Sequence, residues 1–165
     1  MAVNLKGVFL TVKHAWPHLV HSRGAALATS SAVGLVASAG QAAYCASKAG
    51  VAMLMRALAL EGAPLGVRAN SVCPGFTMTP HLERFFAAAD DPAQAQAAAE
   101  SIHPLGRLGR PEDVAEAFVY LASSAGRWVT GVNLPVDGGL STGLWGSGAG
   151  GAVPEALEVS SQARR

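Results

Sequence analysis

Three short apolar runs that alternate with helical stretches constrain the fold of this chain most strongly. The apolar runs lie at 25–31, 67–75 and 129–137, whereas helical patterns lie at 3–21, 41–62 and 111–125. Continuous apolar runs of this length are typical of strands that are buried on both faces. Alternation of such strands with helices is typical of a parallel sheet with right-handed crossovers. The sequence therefore predicts an α/β protein built on a parallel sheet.

Prolines mark the boundaries of the remaining segments. Pro17 is expected to disturb the end of the first helix, because proline has no N–H to donate. Residues 79–104 are polar and Ala-rich and are broken by Pro80, Pro92 and Pro104. This pattern predicts a pair of short mobile helices that act as a lid.

Composition excludes several classes of function. Net charge is +1, only 14% of residues are charged and no basic stripe is present, which disfavours nucleic-acid binding. No apolar run reaches the roughly 18 residues of a membrane span, and no signal-peptide cleavage site follows the amino terminus. Cys45 and Cys73 form neither a disulfide framework nor a metal site, so we expect reduced thiols and a cytoplasmic protein.

The histidines give no clear site. Three of them, His14, His18 and His21, have the spacing of one helix face, but a proline lies between them and no acidic residue is near. We interpret them as exposed and predict no metal site. His81 and His103 lie in the lid segment, where they are either substrate neighbours or surface residues.

Tyr44 and Lys48 have the spacing of a proton-transfer site. They lie four residues apart in YCASK, so on a helix both side chains occupy one face. An ammonium beside a phenol favours the ionised phenol and makes it a better acid–base. Ser31 lies thirteen residues earlier, at the end of an apolar run, where its hydroxyl can hold a substrate oxygen. These groups suit proton transfer to a carbonyl or from an alcohol, the complement of hydride transfer.

Six segments, in order, resemble the carboxyl-terminal part of the short-chain dehydrogenase/reductase family. They are NLKGVF, SSAVG, YCASK, NSVCPGFTMT, GRLGRPEDVA and TGVNLPVDGG, and together they cover about residues 2–140. The resemblance implies the second half of a Rossmann-like, doubly wound parallel sheet. Residues 1–140 would form this partial domain, and 141–165 a flexible Gly-rich tail.

The resemblance implies a role for each matching residue. Tyr44 corresponds to the catalytic acid–base, Lys48 to the cation that also bonds the nicotinamide ribose, and Ser31 to the residue that positions the substrate oxygen. Asn4 corresponds to the asparagine that holds a water in the proton relay behind the lysine. Taken singly, Tyr44 and Lys48 are a contact on one helix face, Ser31 is a structural hydroxyl, and Asn4 is a helix cap or a surface amide. Their joint spacing favours the catalytic interpretation.

A second group of matches implies a site for NAD or NADP. Pro74 and Gly75 resemble the turn that lies against the nicotinamide, although alone they are simply a turn. Thr77 and Thr79 fall where the family contacts the carboxamide. The implied cofactor residues are Tyr44, Lys48, Pro74, Gly75, Thr77 and Thr79.

The phosphate-binding loop of the family is missing from this sequence. This Gly-rich turn should lie well before Ser31, but only thirty residues precede that serine. Residues 146–151 satisfy G-x-G-x-x-G, but no strand leads into them and Pro154 follows, so we interpret them as linker. We therefore expect the chain to bind dinucleotide weakly or not at all.

The leading prediction is an NAD(P)-dependent oxidoreductase that interconverts an alcohol and a ketone or aldehyde. By resemblance, we expect a homodimer or homotetramer acting on a small molecule. The alternative is a catalytically silent fragment that acts only through the helices that form the subunit interface in this family. Neither the substrate nor the choice between NAD and NADP can be read from the sequence.

Overall fold

The computed structural model describes residues 1–143, which form a three-stranded sheet with helices packed against it. The helices are α1 Val8–Ser22, α2 Ala42–Gly62, α3 Pro80–Ala87, α4 Pro92–Ser101 and α5 Pro111–Ala122. The strands are β1 Ala25–Thr29, β2 Arg68–Pro74 and β3 Asn133–Val136. The predicted alternation of helices and strands is confirmed.

The sheet is parallel throughout its described part, in the order β1-β2-β3. Thr29 pairs with Val72 across β1 and β2, and Val72 in turn pairs with Leu134 of β3. Because the strands are parallel, the segments that follow them all emerge at one edge of the sheet. In open α/β sheets ligands bind at this carboxyl edge.

Two neighbouring residues of β2 show how the helices cover the sheet. Ala69 packs in one cluster with Val51 and Met55 of α2. The Arg68 guanidinium instead donates to the carbonyl oxygen of Leu121, in α5, at 2.7 Å. Consecutive side chains of a strand point to opposite faces. Helices α2 and α5 therefore cover opposite faces of the sheet.

The first and third strands are shorter than predicted. β1 ends at Thr29 because Ser31 turns the chain into a short 3₁₀ turn, Ala32–Gly34. β3 begins at Asn133, after Gly131 has adopted a φ of 73° that interrupts extended backbone. Both changes leave polar residues in loops at the ends of the strands.

The expectation that Pro17 disturbs the end of the first helix is wrong. Helix α1 continues through Pro17 to Ser22 and ends where Arg23 adopts a left-handed φ of 51°. The pyrrolidine is exposed and removes only one main-chain hydrogen bond, which the surrounding turns tolerate. A π-helical turn, Ala2–Gly7, precedes α1.

The lid, residues 79–104, contains the predicted pair of short helices, α3 and α4. Leu82 and Phe86 of α3 form a small apolar cluster with Leu108, beyond the lid. A parallel bridge between Thr77 and Gly109 joins the two ends of this excursion. The lid therefore has a core of its own, separate from the one beneath α2.

One described stretch, Ala42–Leu65, is long and apolar enough to cross a membrane, with a mean hydropathy of 1.2. Its Val51, Met55 and Ala59 are buried against the sheet, which accounts for part of this apolar character. Residues 144–165, which include the G-x-G-x-x-G match and most of the predicted tail, lie outside the described residues.

Candidate active site

The first two turns of α2 bring Tyr44 and Lys48 to the carboxyl end of β1. Lys48 Nζ lies 5.7 Å from the centroid of the Tyr44 ring, as the i, i+4 spacing predicts. The same ammonium donates to the carbonyl oxygen of Thr29 at 3.0 Å. Tyr44 is 41% exposed, so a ligand can reach it.

The ammonium group of Lys48 is partly buried and therefore partly desolvated. Burial lowers the pKa of Lys48 below its ordinary value, and Cys73 opposes this with a smaller electrostatic effect. Burial also raises the pKa of the Cys73 thiol. At neutral pH the thiol is thus uncharged and gives Lys48 no counter-ion, which leaves the Thr29 carbonyl as the partner of the ammonium.

Two adjacent serines follow β1 and do different things. Ser30 is 2% exposed and donates from Oγ to the carbonyl oxygen of Lys48 at 2.8 Å. Ser31 is half-buried, and its Oγ accepts a hydrogen bond from the N–H of Val33 at 3.4 Å. Ser31 therefore lies at the same strand end that anchors Lys48, in the place predicted for it.

Asn4 reaches the site through Ser47. Its Nδ2 donates to Ser47 Oγ at 3.3 Å, and Ser47 Oγ donates to the carbonyl oxygen of Tyr44 at 2.7 Å. The structure thus connects Asn4, through Ser47, to the main chain of Tyr44 in the first turn of α2. Ser47 is 1% exposed and was not identified from the sequence.

Pro74 is the last residue of β2, and Gly75 and Thr77 lie in the turn that follows it, beside the end of β1. The Gly75 N–H donates to the carbonyl of Val136 at 3.1 Å, and Thr77 Oγ1 donates to the Gly75 carbonyl at 3.2 Å. A Cβ at Gly75 would lie 2.9 Å from Cα of Asp137, so only glycine lets the β2 and β3 turns approach this closely.

Thr79 has a structural bond of its own. Its Oγ1 accepts from the N–H of Leu82 at 3.4 Å and caps the amino terminus of α3. Thr79 therefore fixes the start of the lid.

The sequence did not identify two buried side chains of the site, Ser30 and Ser47, and it left the environment of His103 undecided. His103 is 2% exposed and contacts the turn after β2, whereas His81 is exposed. Ser30 and Ser47 each bond the main chain of α2. One available signal was the pair of consecutive serines, because strand alternation turns one of them toward the core.

A separate cleft of about 480 Å³ lies between Phe76, the segment 105–109 that follows the lid, α5 and the end of β3. Its lining includes Arg107, Asp113 and Asp137 but none of the predicted acid–base residues. Arg107 bonds both carboxylate oxygens of Asp113, at 2.7 and 3.2 Å. Residues 1–143 contain no cluster of three His, Cys, Asp or Glu side chains suited to a metal ion.

Curated relatives match most of the sequence of this chain. A family profile described as enoyl-(acyl carrier protein) reductase matches residues 1–141. The chain is 41% identical over 145 residues to 2,5-dichloro-2,5-cyclohexadiene-1,4-diol dehydrogenase LinX of Sphingobium indicum, covering 87% of the chain and 56% of that relative. It is 42% identical to 3-oxoacyl-[acyl-carrier-protein] reductase FabG of Thermotoga maritima, covering 84% and 54%.

A third relative is described as inactive. It is the inactive 2-(S)-hydroxypropyl-CoM dehydrogenase 2 of Xanthobacter autotrophicus, 39% identical over 86% of the chain and 62% of the relative. The chain thus spans between about half and three fifths of the length of these curated relatives.

Solved structures also match most of this chain, in fold as well as in sequence. An oxidoreductase of the short-chain dehydrogenase/reductase family from Burkholderia thailandensis has a TM-score of 0.76 at 38% identity, covering 85% of this chain and 53% of that one. ElxO with NADP bound has a TM-score of 0.79 at 30% identity, covering 85% and 56%. The profile match, the relatives and the shared fold together show that the chain belongs to the short-chain dehydrogenase/reductase family.

Proposed function

We propose that this chain carries the acid–base half of an NAD(P)-dependent oxidoreductase that interconverts an alcohol and a ketone or aldehyde. The arrangement of Tyr44 and Lys48 carries this proposal, since an ammonium fixed to the carbonyl of Thr29 lies 5.7 Å from the ring centroid of an accessible tyrosine. Relatives named as dehydrogenases and reductases support the reaction class. The substrate is proposed only as a small-molecule alcohol or carbonyl compound.

The proposed chemistry divides between cofactor and protein. A bound nicotinamide supplies or accepts the hydride. Tyr44 gives a proton to the substrate oxygen during reduction and takes it back during oxidation. The Lys48 ammonium stabilises the negative charge left on the phenol oxygen. The Ser31 hydroxyl holds the substrate oxygen in place for this transfer.

Asn4 and Ser47 are proposed to support the return of the proton. One N–H of the Asn4 amide bonds Ser47, which leaves its second N–H and its oxygen atoms to hold a water. Ser47 in turn fixes the carbonyl of Tyr44. This chain of bonds links Asn4 to the turn of α2 that carries Tyr44, and a water held at Asn4 would pass protons between Lys48 and solvent.

The described residues suit the nicotinamide end of the cofactor better than its phosphate end. Lys48 has three N–H donors, of which one bonds Thr29, and the Pro74–Gly75 turn lies at the same edge of the sheet. These groups would hold the ribose and the nicotinamide, with Thr77 and Thr79 near the carboxamide. Within residues 1–143, however, no G-x-G-x-x-G turn joins a strand to a helix.

The test combines binding and turnover on the 165-residue chain. Calorimetric titration with NADH and NADPH is expected to show weak binding, and micromolar affinity would refute that expectation. Turnover of a panel of alcohols and ketones is followed by nicotinamide absorbance. Tyr44→Phe should abolish turnover without weakening cofactor binding. Tyr120→Phe, at an exposed position of α5, should retain turnover. A wild-type chain that turns over nothing with saturating cofactor would remove the enzymatic proposal for this chain.

A second candidate function is a catalytically silent protein that acts through its helices. One relative is described as inactive, and α1 and α2 expose large apolar side chains. Phe9 is 49% exposed, Met53 60% and Leu60 79%. Such a surface suits self-association into a homo-oligomer. Light scattering would detect the assembly, and Met53→Glu and Leu60→Glu should shift it toward monomer.

We also propose a cytoplasmic location. Cys45 and Cys73 are both unpaired, and Cys73 is buried in β2. Unpaired thiols suit a reducing compartment. Fractionation of cells that produce the tagged chain would test this, and recovery in a secreted fraction would contradict it.

A further inference from the structure

His103 lies where the lid returns to the sheet. It follows the end of α4, and its side chain is 2% exposed. The ring is packed edge-on against Phe76, with centroids 5.9 Å apart and planes at 80°. A buried polar ring needs partners for both nitrogen atoms, because an unmet donor or acceptor is costly away from water.

Both ring nitrogens have main-chain partners of opposite kind. Nε2 accepts from the N–H of Phe76 at 3.2 Å, and Nδ1 lies 2.7 Å from the carbonyl oxygen of Ala99. An amide N–H can only donate and a carbonyl can only accept. These contacts therefore assign a neutral imidazole with its proton on Nδ1.

The ring also fills a junction between three segments. A Cβ at Gly75 would lie 2.8 Å from Nε2, so the turn after β2 touches the ring through a residue without a side chain. Gly138, after β3, adopts a φ of 60° and would bring a Cβ within 3.5 Å of the ring. Leu105 closes the junction by donating its N–H to the Gly138 carbonyl at 3.0 Å.

We propose that His103 is a positioning residue whose neutral ring fastens the Pro74–Thr77 turn to the lid, and that protonation of the ring releases this turn. Protonation would place an N–H on Nε2 facing the N–H of Phe76, so the acceptor is lost and two donors oppose each other. That the turn lies against a nicotinamide rests on the proposed function. The fastening itself rests on the contacts of His103.

The charged groups around the ring do not replace the lost bond. On the β3 side, the Asp137 carboxylate accepts the N–H groups of Gly139 and Ser141. On α4, Glu100 accepts from Gln96. In the segment after the lid, Arg107 bonds Asp113, and Cys73 on β2 has a raised pKa and is uncharged at neutral pH. Asp137, Glu100 and Arg107 therefore each have hydrogen-bond partners other than His103.

The first test needs no variant. Long-range proton–nitrogen NMR of the ¹⁵N-labelled chain at pH 8 should show a protonated Nδ1 and an unprotonated Nε2 for His103, with the signals assigned by comparison with His103→Gln. A proton on Nε2, or rapid exchange between tautomers, would overturn the proposal. Acidification to the point at which the ring nitrogen shifts report an imidazolium should shift the Phe76 amide signal and reduce its protection from hydrogen exchange.

Variants separate this role from bulk packing. His103→Leu should lower the protection factor of the Phe76 amide about fivefold or more, the effect of one net hydrogen bond. His103→Gln keeps an acceptor and should retain part of the protection without the acid response. His81→Gln, on the exposed side of the lid, should change neither. Unchanged protection in His103→Leu, or an acid response that survives in His103→Gln, would exclude the proposal.

These measurements use no cofactor or substrate. A failure of the NMR tests therefore removes the role of His103 whatever the chain binds. A failure to bind nicotinamide with intact NMR results removes only the proposed function. The two outcomes are thus distinguishable.

Discussion

Ser30 fixes the main chain of Lys48, and its neighbour Thr29 fixes the side chain. The Ser30 hydroxyl donates to the carbonyl of Lys48 at 2.8 Å, and the Lys48 ammonium donates back to the carbonyl of Thr29 at 3.0 Å. The Ser30 N–H also bonds Val72 of β2 at 2.8 Å. The lysine is thus fixed to the sheet through its main chain and its side chain, without any ligand.

Replacing Ser30 by Ala should destabilise the fold by about 1–2 kcal/mol, because a buried hydrogen bond to the helix carbonyl is lost. Urea unfolding at pH 7 measures this change. Ser124→Ala, at an exposed position near the end of α5, serves as the control and should lie within about 0.5 kcal/mol of wild type. Equal stability of the two variants would show that the Ser30 bond contributes nothing.

Gly34→Ala should also be destabilising. A Cβ at residue 34 would lie 2.7 Å from Ser30 Oγ and 2.9 Å from the main-chain carbon of Lys48, closer than real atoms pack. We expect a loss of about 1–3 kcal/mol in thermal or urea unfolding. Gly143→Ala, which meets no atom within 4 Å, is the matched control. A neutral Gly34→Ala would mean that the turn moves without cost.

Lys48 should react with an amine-directed reagent at lower pH than the exposed lysines. Burial lowers the pKa of Lys48, so a larger neutral fraction is present at a given pH. Competitive acetylation followed by peptide mass spectrometry compares it with Lys6 and Lys13. If the Lys48 profile rises at higher pH than theirs, the inferred desolvation is wrong.

Asp113 should contribute a stability that disappears in acid. The Arg107 hydrogen bonds, with the N–H of Arg110, lower the pKa of Asp113 from 3.8 to about 2. The folded state therefore favours the carboxylate, and this contribution is present above pH 3.8 and is lost as pH falls toward 2.

Asp113→Asn should accordingly unfold at a lower temperature than wild type near pH 6 and approach it near pH 2. Calorimetric or circular-dichroism melts across this range measure the difference. Glu112→Gln, an exposed neighbour in the same helical turn, provides the control. A difference that is constant from pH 6 to pH 2 would contradict the assignment to ionisation.

Much of the fold was predictable because its signals are local. Helix α2 was predicted at 41–62 and lies at Ala42–Gly62, since an Ala-rich segment with few breakers favours helix over this length. The i, i+4 spacing predicted that Tyr44 and Lys48 share a face, and their 5.7 Å contact agrees. The end of α1 was predicted within one residue, but the disturbance expected at Pro17 is absent because the effect of a proline depends on its surroundings.

The sequence by itself determined the order of helices and strands, the family, and the helix face shared by Tyr44 and Lys48, because each is read from short segments whose residues lie close together in the chain. Only the tertiary structure decided that Ser30 rather than Ser31 bonds α2 and that His103 is buried against Phe76. Those contacts join residues 18 and 27 positions apart. They depend on strand register and on how closely the glycine turns pack, which local preferences do not specify.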